Sequence, residues 1–148
     1  MFQALTVSQA IIFVSSAVRA MVLNNQLQKC GYSTTCIHSQ MNQLERKQVF
    51  NDFKTNNSHR ILVCTDIFER GIDNTRVNVV INFDLPRSSH HYLHRTGRAG
   101  RYGRKGITID IVNMQKHQIA QYAKIMQEIG IAPQPVPKKF DEELYKNE

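Results

Sequence analysis

The sequence has few cysteines and no long apolar run, and both absences narrow the class of protein. Only three of its 148 residues are cysteines, none in a CxxC pair, which argues against a disulfide framework. The longest purely apolar run, residues 10–14, is far shorter than the roughly 20 residues of a membrane helix. No Lys or Arg precedes that run, so it does not fit a signal peptide. These absences predict a soluble, intracellular protein, and the length suits one domain.

The positive charge is concentrated in one segment. The formal net charge is +7 at pH 7, from 19 Lys and Arg against 12 Asp and Glu. Residues 85–109 contain no acidic residue and six of the cations, namely Arg87, Arg95, Arg98, Arg101, Arg104 and Lys105. Elsewhere in the chain the charges nearly balance. Because charge focused in this way favours an anionic partner, we expect the segment to meet phosphate or nucleic acid.

Short apolar runs alternate with amphipathic stretches along the chain. The apolar runs predict strands at residues 10–14, 34–37, 60–63, 77–81 and 107–112. Periodic apolar positions predict helices at residues 18–29, 42–55, 90–95 and 119–129. This alternation predicts an α/β fold, an open and mainly parallel β-sheet with helices on both faces. Ligands bind such sheets at the carboxyl ends of the strands.

The segment His94-Arg-Thr-Gly-Arg-Ala-Gly-Arg101 carries much of the concentrated charge. Its arginines recur every three residues, so they would share one face if the stretch were helical. Gly97 and Gly100 would let the backbone approach a ligand closely, and guanidinium groups bind phosphate oxygens bidentately. A phosphate or RNA site is therefore the favoured interpretation. The alternative is a glycine- and arginine-rich loop, since glycines also recur every three residues there.

The segment Cys64-Thr-Asp-Ile-Phe-Glu-Arg-Gly-Ile-Asp73 directly follows the third predicted strand. It therefore places Thr65, Gly71 and Asp73 at a strand's carboxyl end, where this architecture binds ligands. The hydroxyl, the glycine and the carboxylate could serve a phosphate, a close backbone approach and a ribose hydroxyl. Taken alone, an ordinary loop with aspartates as helix caps explains the segment better.

Four segments in order resemble the C-terminal RecA-like domain of DEAD-box RNA helicases. Ala10-Ile-Ile-Phe-Val-Ser-Ser16 resembles motif IV, and His38-Ser-Gln-Met-Asn-Gln-Leu-Glu-Arg46 resembles the motif that follows it. Thr65-Asp66 through Arg70-Gly-Ile-Asp73 resembles motif V, with Val80-Ile-Asn-Phe-Asp84 as its companion strand. His94 to Arg101 matches the HRxGRxxR pattern of motif VI at every fixed position. The resemblance implies a helicase C-terminal domain over residues 1–131 and a proline-containing tail over residues 132–148.

The resemblance implies catalytic and ATP-binding roles. Arg98 and Arg101 would be the arginine fingers that reach the ATP γ-phosphate across the cleft between two RecA-like domains. Fixed cations there stabilise the charge that spreads over the phosphoryl oxygens in the transition state. Asp73 would bind the ATP ribose, and His94 would couple the fingers to the acidic motif of the partner domain.

The resemblance also implies contacts with RNA. The residues that would hold the RNA sugar–phosphate backbone are Thr65, Gly71, Gln43 and Arg46. The supporting residues would be Phe13, Arg70 and Arg95. Phe13 either packs against a motif VI arginine or serves the core alone. Glu69 and Thr96 depart from the usual family pattern without removing any of these ligands.

Two motifs of such helicases are missing from the chain. There is no GxxxxGK[ST] phosphate loop and no DEAD tetrad. The resemblance therefore implies that an N-terminal RecA-like domain binds the ATP base and Mg²⁺ and activates the water, and that this chain holds no metal itself. We expect ATP-dependent RNA helicase activity from the full-length protein and no ATP hydrolysis from this chain alone.

Three further segments resemble the cytoplasmic Rck-type helicases, which activate decapping and repress translation in mRNA granules. They are Lys29-Cys-Gly-Tyr-Ser33, residues 76–86 and residues 135–145. The implied partners are single-stranded RNA, the N-terminal RecA-like domain, and decapping and translational-repression factors, with no membrane. The implied location is cytoplasmic, with the nucleus as the alternative. Two other functions stay open: a translation-initiation or mRNA-export DEAD-box helicase, and a stand-alone RNA- or protein-docking module without ATPase activity.

Overall fold

The computed structural model describes residues 7–55, 58–68, 74–100 and 103–137. Within these ranges the strands are β1 (Gln9–Phe13), β2 (Thr34–Ile37), β3 (Ile61–Cys64), β4 (Val77–Asn82) and β5 (Ile107–Asp110). The α-helices are α1 (Ala17–Lys29), α2 (Gln43–Thr55), α3 (Ser89–Thr96) and α4 (Lys116–Ile129). A short 3₁₀ helix, Asp66–Phe68, follows β3. No helix in the described ranges is long and apolar enough to cross a membrane.

The five strands form one sheet in the order β2-β3-β1-β4-β5, and every neighbouring pair is parallel. This confirms the predicted α/β fold with a parallel sheet. Phe13 at the end of β1 pairs with Cys64 at the end of β3 and with Asn82 at the end of β4. The segments that leave these three strands therefore begin side by side at one edge of the sheet.

Apolar side chains cover both faces of the sheet. Alternate residues of the central strand point to opposite faces, so Ala10 and Ile12 belong to one core cluster and Ile11 and Phe13 to the other. The first cluster is completed by apolar residues of α1, and the second by apolar residues of α2. Because both faces are covered, the strands carry near-continuous apolar runs, which is why they were predictable.

Helix α2 begins as its sequence predicts. Asn42 Oδ1 accepts from the backbone N–H of Glu45 at 2.9 Å, and a Glu45 side-chain oxygen accepts from the backbone N–H of Asn42 at 2.9 Å. This reciprocal pair satisfies two of the free donors at the helix N-terminus.

Strand β5 is shorter than predicted. It ends at Asp110 rather than at residue 112, because Asp110 pairs with Asn82, the last residue of β4. The backbone N–H of Ile111 still donates to the Asn82 oxygen at 3.0 Å, but β4 ends at Asn82, and Ile111 is exposed.

Helix α3 ends before the second arginine of the HRxGRxxR segment. Gly97 caps the helix, and its backbone N–H donates to the carbonyl oxygens of Leu93 and Arg95. The condition under which Arg95 and Arg98 would share one helix face is therefore not met, because Arg98 lies in the turn that follows. Arg95 therefore projects from the helix, and Arg98 projects from the turn.

Candidate functional site

A cleft of about 280 Å³ lies at the carboxyl ends of the strands. Ser15 and Ser16 line it after β1, Ser39 lines it after β2, and Thr65 and Asp66 line it after β3. The side chain of Arg95, from α3, also lines the cleft. Its position is the one that the topology predicts for a ligand site.

Arg95 is almost completely buried, with 1% of its surface exposed. Its guanidinium forms a bidentate ion pair with Asp66, with Nε–Oδ1 at 2.5 Å and Nη2–Oδ2 at 2.7 Å. Nη1 donates to Oδ1 of Asn82 at 3.1 Å and to the backbone oxygen of Asp84 at 2.7 Å. A buried charge is tolerable only when it is paired and hydrogen-bonded in this way.

The ring of Phe13 packs against the face of the same guanidinium. The Arg95 Cζ atom lies 5.0 Å from the centroid of the Phe13 ring, which is within the range of a cation–π contact. Phe13 itself is fully buried at the end of β1. The structure thus places Phe13 both in the core and against an arginine of the HRxGRxxR segment.

Arg98 is folded back toward the preceding helix. Its side chain is 7% exposed, and Nε donates to the backbone oxygen of His94 at 3.1 Å. Burial raises the pKa of the Cys64 thiol at the end of β3, and the positive charges of Arg95 and Arg98 act against this rise without cancelling it. Two cations are therefore gathered around the carboxyl end of β3.

His94 occupies the last turn of α3 and is half-buried. Its ring lies against that of His90, one turn earlier, with the ring centroids 4.1 Å apart. Within the described part of the chain, no group of three or more His, Cys, Asp or Glu side chains could hold a metal ion. The ring of His90 packs against His94 and also, with ring centroids 5.9 Å apart, against His91.

Thr65 presents a hydroxyl whose hydrogen-bonding capacity is unused within the described residues. It is 8% exposed, lines the cleft, and finds no described partner for Oγ1. A buried polar atom without a partner is uncommon in folded proteins and calls for an explanation. A ligand oxygen in the cleft would provide one.

Gln43 and Arg46 stand apart from the cleft lining. Gln43 is exposed at the first position of α2, and Arg46 lies one turn later, with Nε directed at the backbone oxygen of Asn42 at 3.4 Å. The loop that leads into α2 passes the cleft at Ser39. Four other predicted site residues, Arg70, Gly71, Asp73 and Arg101, lie outside the described residues.

Gly100 serves an internal contact. Its φ is +67°, and a Cβ there would lie 2.7 Å from the backbone oxygen of Arg104. A Cβ on Gly106 would in turn lie 2.6 Å from the backbone nitrogen of Gly100. The close approach at Gly100 is therefore one between two segments of its own loop, since only glycine leaves the space free.

A second bidentate ion pair, which the sequence did not predict, lies beside the first. Arg19 of α1 donates from Nε and Nη2 to the Asp84 carboxylate at 2.7 and 2.6 Å, and the backbone N–H of Ser15 donates to the same carboxylate at 2.8 Å. Arg19 is half exposed, so this pair is open to solvent.

The Asp84 carboxyl group is expected to titrate below its ordinary range. Burial acts to raise its pKa, but hydrogen bonds from Arg19 and Ser15 outweigh burial and leave the pKa below the ordinary 3.8. The pair therefore adds stability above the unfolded-state pKa and loses it as the pH falls through the folded-state pKa. A carboxyl-carbon NMR titration should show this low pKa and its rise in Arg19→Met. An unchanged midpoint in that variant would contradict the assignment.

Asp66, Asn82, Asp84 and Asp110 carry the polar contacts that sequence reasoning missed. All four stand at or just after the carboxyl end of a strand. In the sequence, Asp66 belongs to the motif V segment, with a helix cap as the alternative interpretation. Asn82 and Asp84 belong to the companion strand of motif V, and Asp110 belongs to the fifth predicted strand. The signal that could have found them is the recurrence of an acidic or amide side chain where each apolar run stops.

Comparisons with known proteins identify the family of this chain. A family model described as "Helicase conserved C-terminal domain" matches residues 2–103. The ATP-dependent RNA helicase cgh-1 of Caenorhabditis elegans is 43% identical over 145 residues, which cover 98% of this chain and 33% of the relative. The ATP-dependent RNA helicase DHH1 of Yarrowia lipolytica is also 43% identical over 145 residues, covering 98% of this chain and 27% of the relative. The chain thus spans a third or less of the length of these curated relatives.

A solved structure shows the same fold. Saccharomyces cerevisiae Dbp5, in a structure bound to RNA and ADP BeF3, is 32% identical and superposes with a TM-score of 0.79 over 87% of this chain and 34% of that chain. The resemblance to DEAD-box RNA helicases is confirmed, and so is the resemblance to the Rck type, to which cgh-1 and DHH1 belong. The chain belongs to the family of helicase conserved C-terminal domains found in DEAD-box RNA helicases.

Proposed function

We propose that this chain is the C-terminal half of an ATP-dependent DEAD-box RNA helicase that acts in mRNA decay and translational repression. The observation that carries the proposal is the gathering of Thr65, Arg95 and Arg98 around the carboxyl end of β3, beside an open cleft. Relatives named as ATP-dependent RNA helicases, and the Dbp5 structure bound to RNA and ADP BeF3, support the activity.

In this proposal the chain supplies cations to a phosphoryl transfer that it does not complete alone. Arg98 and Arg101 act as arginine fingers on the ATP γ-phosphate, Asp73 binds the ribose, and His94 couples the fingers to the acidic motif of the partner domain. The guanidinium of Arg98 suits a phosphate, although it must turn outward from His94 to reach one. The N-terminal RecA-like domain holds the ATP base and Mg²⁺.

The same cleft holds the RNA backbone. Thr65 Oγ1 has no hydrogen-bond partner among the described residues and suits a phosphate oxygen or a 2′-hydroxyl, because a hydroxyl both donates and accepts. Gly71, Gln43 and Arg46 extend this contact along the sugar–phosphate chain, and Arg70 supports it. Backbone contacts read no base sequence, so the choice of RNA comes from other partners.

The partners and location follow from the Rck-type relatives. Decapping and translational-repression factors bind the domain, which spans residues 1–131 and is followed by the tail of residues 132–148. Helix α4 ends at Ile129, and residues 131–137 form neither helix nor strand, which supports this division. The protein acts in the cytoplasm.

The test is Arg98→Lys in the full-length protein. Lysine keeps the charge but loses the planar fork that grips two phosphate oxygens. RNA-stimulated ATP turnover should fall by about 10³-fold, the lower end of what an arginine finger contributes. The matched control is Arg104→Lys, an exposed arginine of the same basic segment, which should leave turnover unchanged.

Two outcomes would oppose the proposal. Near-normal turnover in Arg98→Lys would remove the finger assignment. RNA affinity without any ATP turnover in the unaltered full-length protein would favour the docking-module alternative.

A further inference from the structure

A chain of hydrogen bonds runs from Asp66 in the cleft to helix α4. Asp66 binds Arg95, Arg95 donates to Asn82, and Asn82 Nδ2 donates to Asp110 Oδ1 at 2.7 Å. The other Asp110 oxygen accepts from the Tyr92 hydroxyl of α3 and the Tyr122 hydroxyl of α4, each at 2.9 Å. Asp110 is thus the point where β4, β5, α3 and α4 meet.

The Asp110 carboxylate fixes the orientation of the Asn82 amide. A carboxylate only accepts hydrogen bonds, so the NH₂ group of Asn82 must face Asp110. The amide oxygen of Asn82 is then directed at Arg95 Nη1, which only donates. If the amide were flipped, its NH₂ group would face Arg95 Nη1, which is also a donor. Its oxygen would then face the Asp110 carboxylate, which is also an acceptor. Asn82 is fully buried, so water cannot relieve either clash.

Asp110 holds α3 at two points. Tyr92 and Arg95 are three residues apart, so they lie on the same face of the helix, and both are buried. Tyr92 binds Asp110 directly, and Arg95 binds it through Asn82. Burial and the nearby Asp110 charge raise the pKa of Tyr92 and of Tyr122, which keeps both hydroxyls protonated as donors.

We propose that Asp110 is a positioning residue for ATP hydrolysis: it fixes Tyr92 and Arg95, and thereby the end of α3 from which Arg98 leaves the helix. This inference rests on the finger role proposed for Arg98. Asp110 touches neither ATP nor RNA in this proposal and acts only through α3. Its loss should therefore lower the turnover number and leave the Michaelis constant for ATP unchanged.

The first experiment uses this 148-residue chain and follows the Arg95 Nε–Hε signal by NMR. Asp110→Leu removes all three acceptor contacts at similar side-chain volume, and exchange of this hydrogen with water should become about tenfold faster. Asp110→Asn retains an acceptor for Asn82 and should restore slow exchange. Thr108→Val, on the same strand and outside the hydrogen-bond chain, is the matched control and should change nothing.

A second variant covers the case in which Asp110→Leu does not fold. Tyr92→Phe removes only the direct contact between α3 and Asp110, and it should speed the exchange about threefold. If the Arg95 Nε hydrogen exchanges in every folded variant at the same rate as in the unaltered chain, Asp110 does not fix Arg95 and the proposal is overturned.

The second experiment measures RNA-stimulated ATP turnover in the full-length protein. Asp110→Leu should lower the turnover number about tenfold at an unchanged Michaelis constant, and Asp110→Asn should restore most of it. In a protein that already carries Arg98→Lys, Asp110→Leu should lower the turnover number by less than about twofold, because the effect of Asp110 passes through Arg98. An equal cost in both backgrounds would overturn the proposal. Normal turnover in Arg98→Lys alone would instead refute the finger role, while the Arg95 exchange rates would still decide whether Asp110 fixes α3.

Discussion

Replacing Arg95 with Met is expected to lower the free energy of unfolding by about 3 kcal/mol, the lower end of the cost of breaking a buried ion pair from one side. The substitution leaves the Asp66 carboxylate, the Asn82 amide oxygen and the Asp84 carbonyl without their donor. It also removes the cation from the Phe13 ring. Asp66 is 27% exposed and regains some hydration, which keeps the cost from being larger. Urea denaturation of this chain, followed by circular dichroism, measures the change.

The neighbouring ion pair provides the matched control. Arg19→Met breaks a pair of the same bidentate geometry, in which the arginine is half exposed rather than buried. Its cost should be under about 1 kcal/mol, since water replaces the lost contacts and screens the charge. Equal losses in the two variants would mean that burial does not govern the strength of these pairs, contrary to the explanation given for Arg95.

A double variant separates the ion pair from the packing around it. Asp66→Asn removes the charge that Arg95→Met leaves uncompensated, so the pair of substitutions should cost less than Arg95→Met alone. If the double variant is instead the less stable protein, the Asp66 charge that Arg95→Met leaves unpaired is not the source of the loss.

Carboxylates at the strand ends organise this domain. Asp66 after β3 binds Arg95, Asp84 after β4 binds Arg19, and Asp110 at the end of β5 binds two tyrosines. Each carboxylate thus joins the sheet to a helix at the edge where the ligand cleft opens. Parallel strands bring these ends together, so one edge of the sheet carries both the anchoring contacts and the site.

The strands and the α/β class were predictable from the sequence because the strands are buried on both faces. The run Ile61–Cys64, for example, is apolar and buried along its whole length, and such runs stand out in any sequence. The Asn42–Glu45 cap was predictable for a similar reason, since its partners are three residues apart. The HRxGRxxR segment was recognisable as a motif before any contact was known.

The contacts of the site were not predictable, because they join residues far apart in the chain. Arg95 binds Asp66, 29 residues away, and Arg19 binds Asp84, 65 residues away. Nothing in the spacing of the arginines shows that Arg95 is buried in an ion pair while Arg98 follows the helix end. That difference arises from Gly97, which stops α3 between them, and from the register that brings β3 and β4 beside β1.

Replacing Gly106 with Ala is expected to lower the free energy of unfolding by about 3 kcal/mol, the upper part of the cost of overpacking a fitted site. The new Cβ would lie 2.6 Å from the backbone nitrogen of Gly100 and 2.8 Å from two atoms of Ala99. Two of these three atoms belong to the backbone, so no side-chain rotation relieves the clash. Thermal or urea unfolding of this chain measures the loss.

Gly103, three residues earlier in the same loop, separates crowding from backbone strain. Its φ is +76°, but a Cβ there would meet nothing within 4 Å. Gly103→Asn should therefore cost no more than about 1 kcal/mol, because asparagine tolerates the left-handed region and the space is open. Since the clash at Gly106 displaces Ala99 and Gly100, which directly follow Arg98, Gly106→Ala should also weaken RNA-stimulated ATP turnover in the full-length protein. A Gly106→Ala protein as stable as Gly103→Asn would show that the two sides of the loop are not in backbone contact.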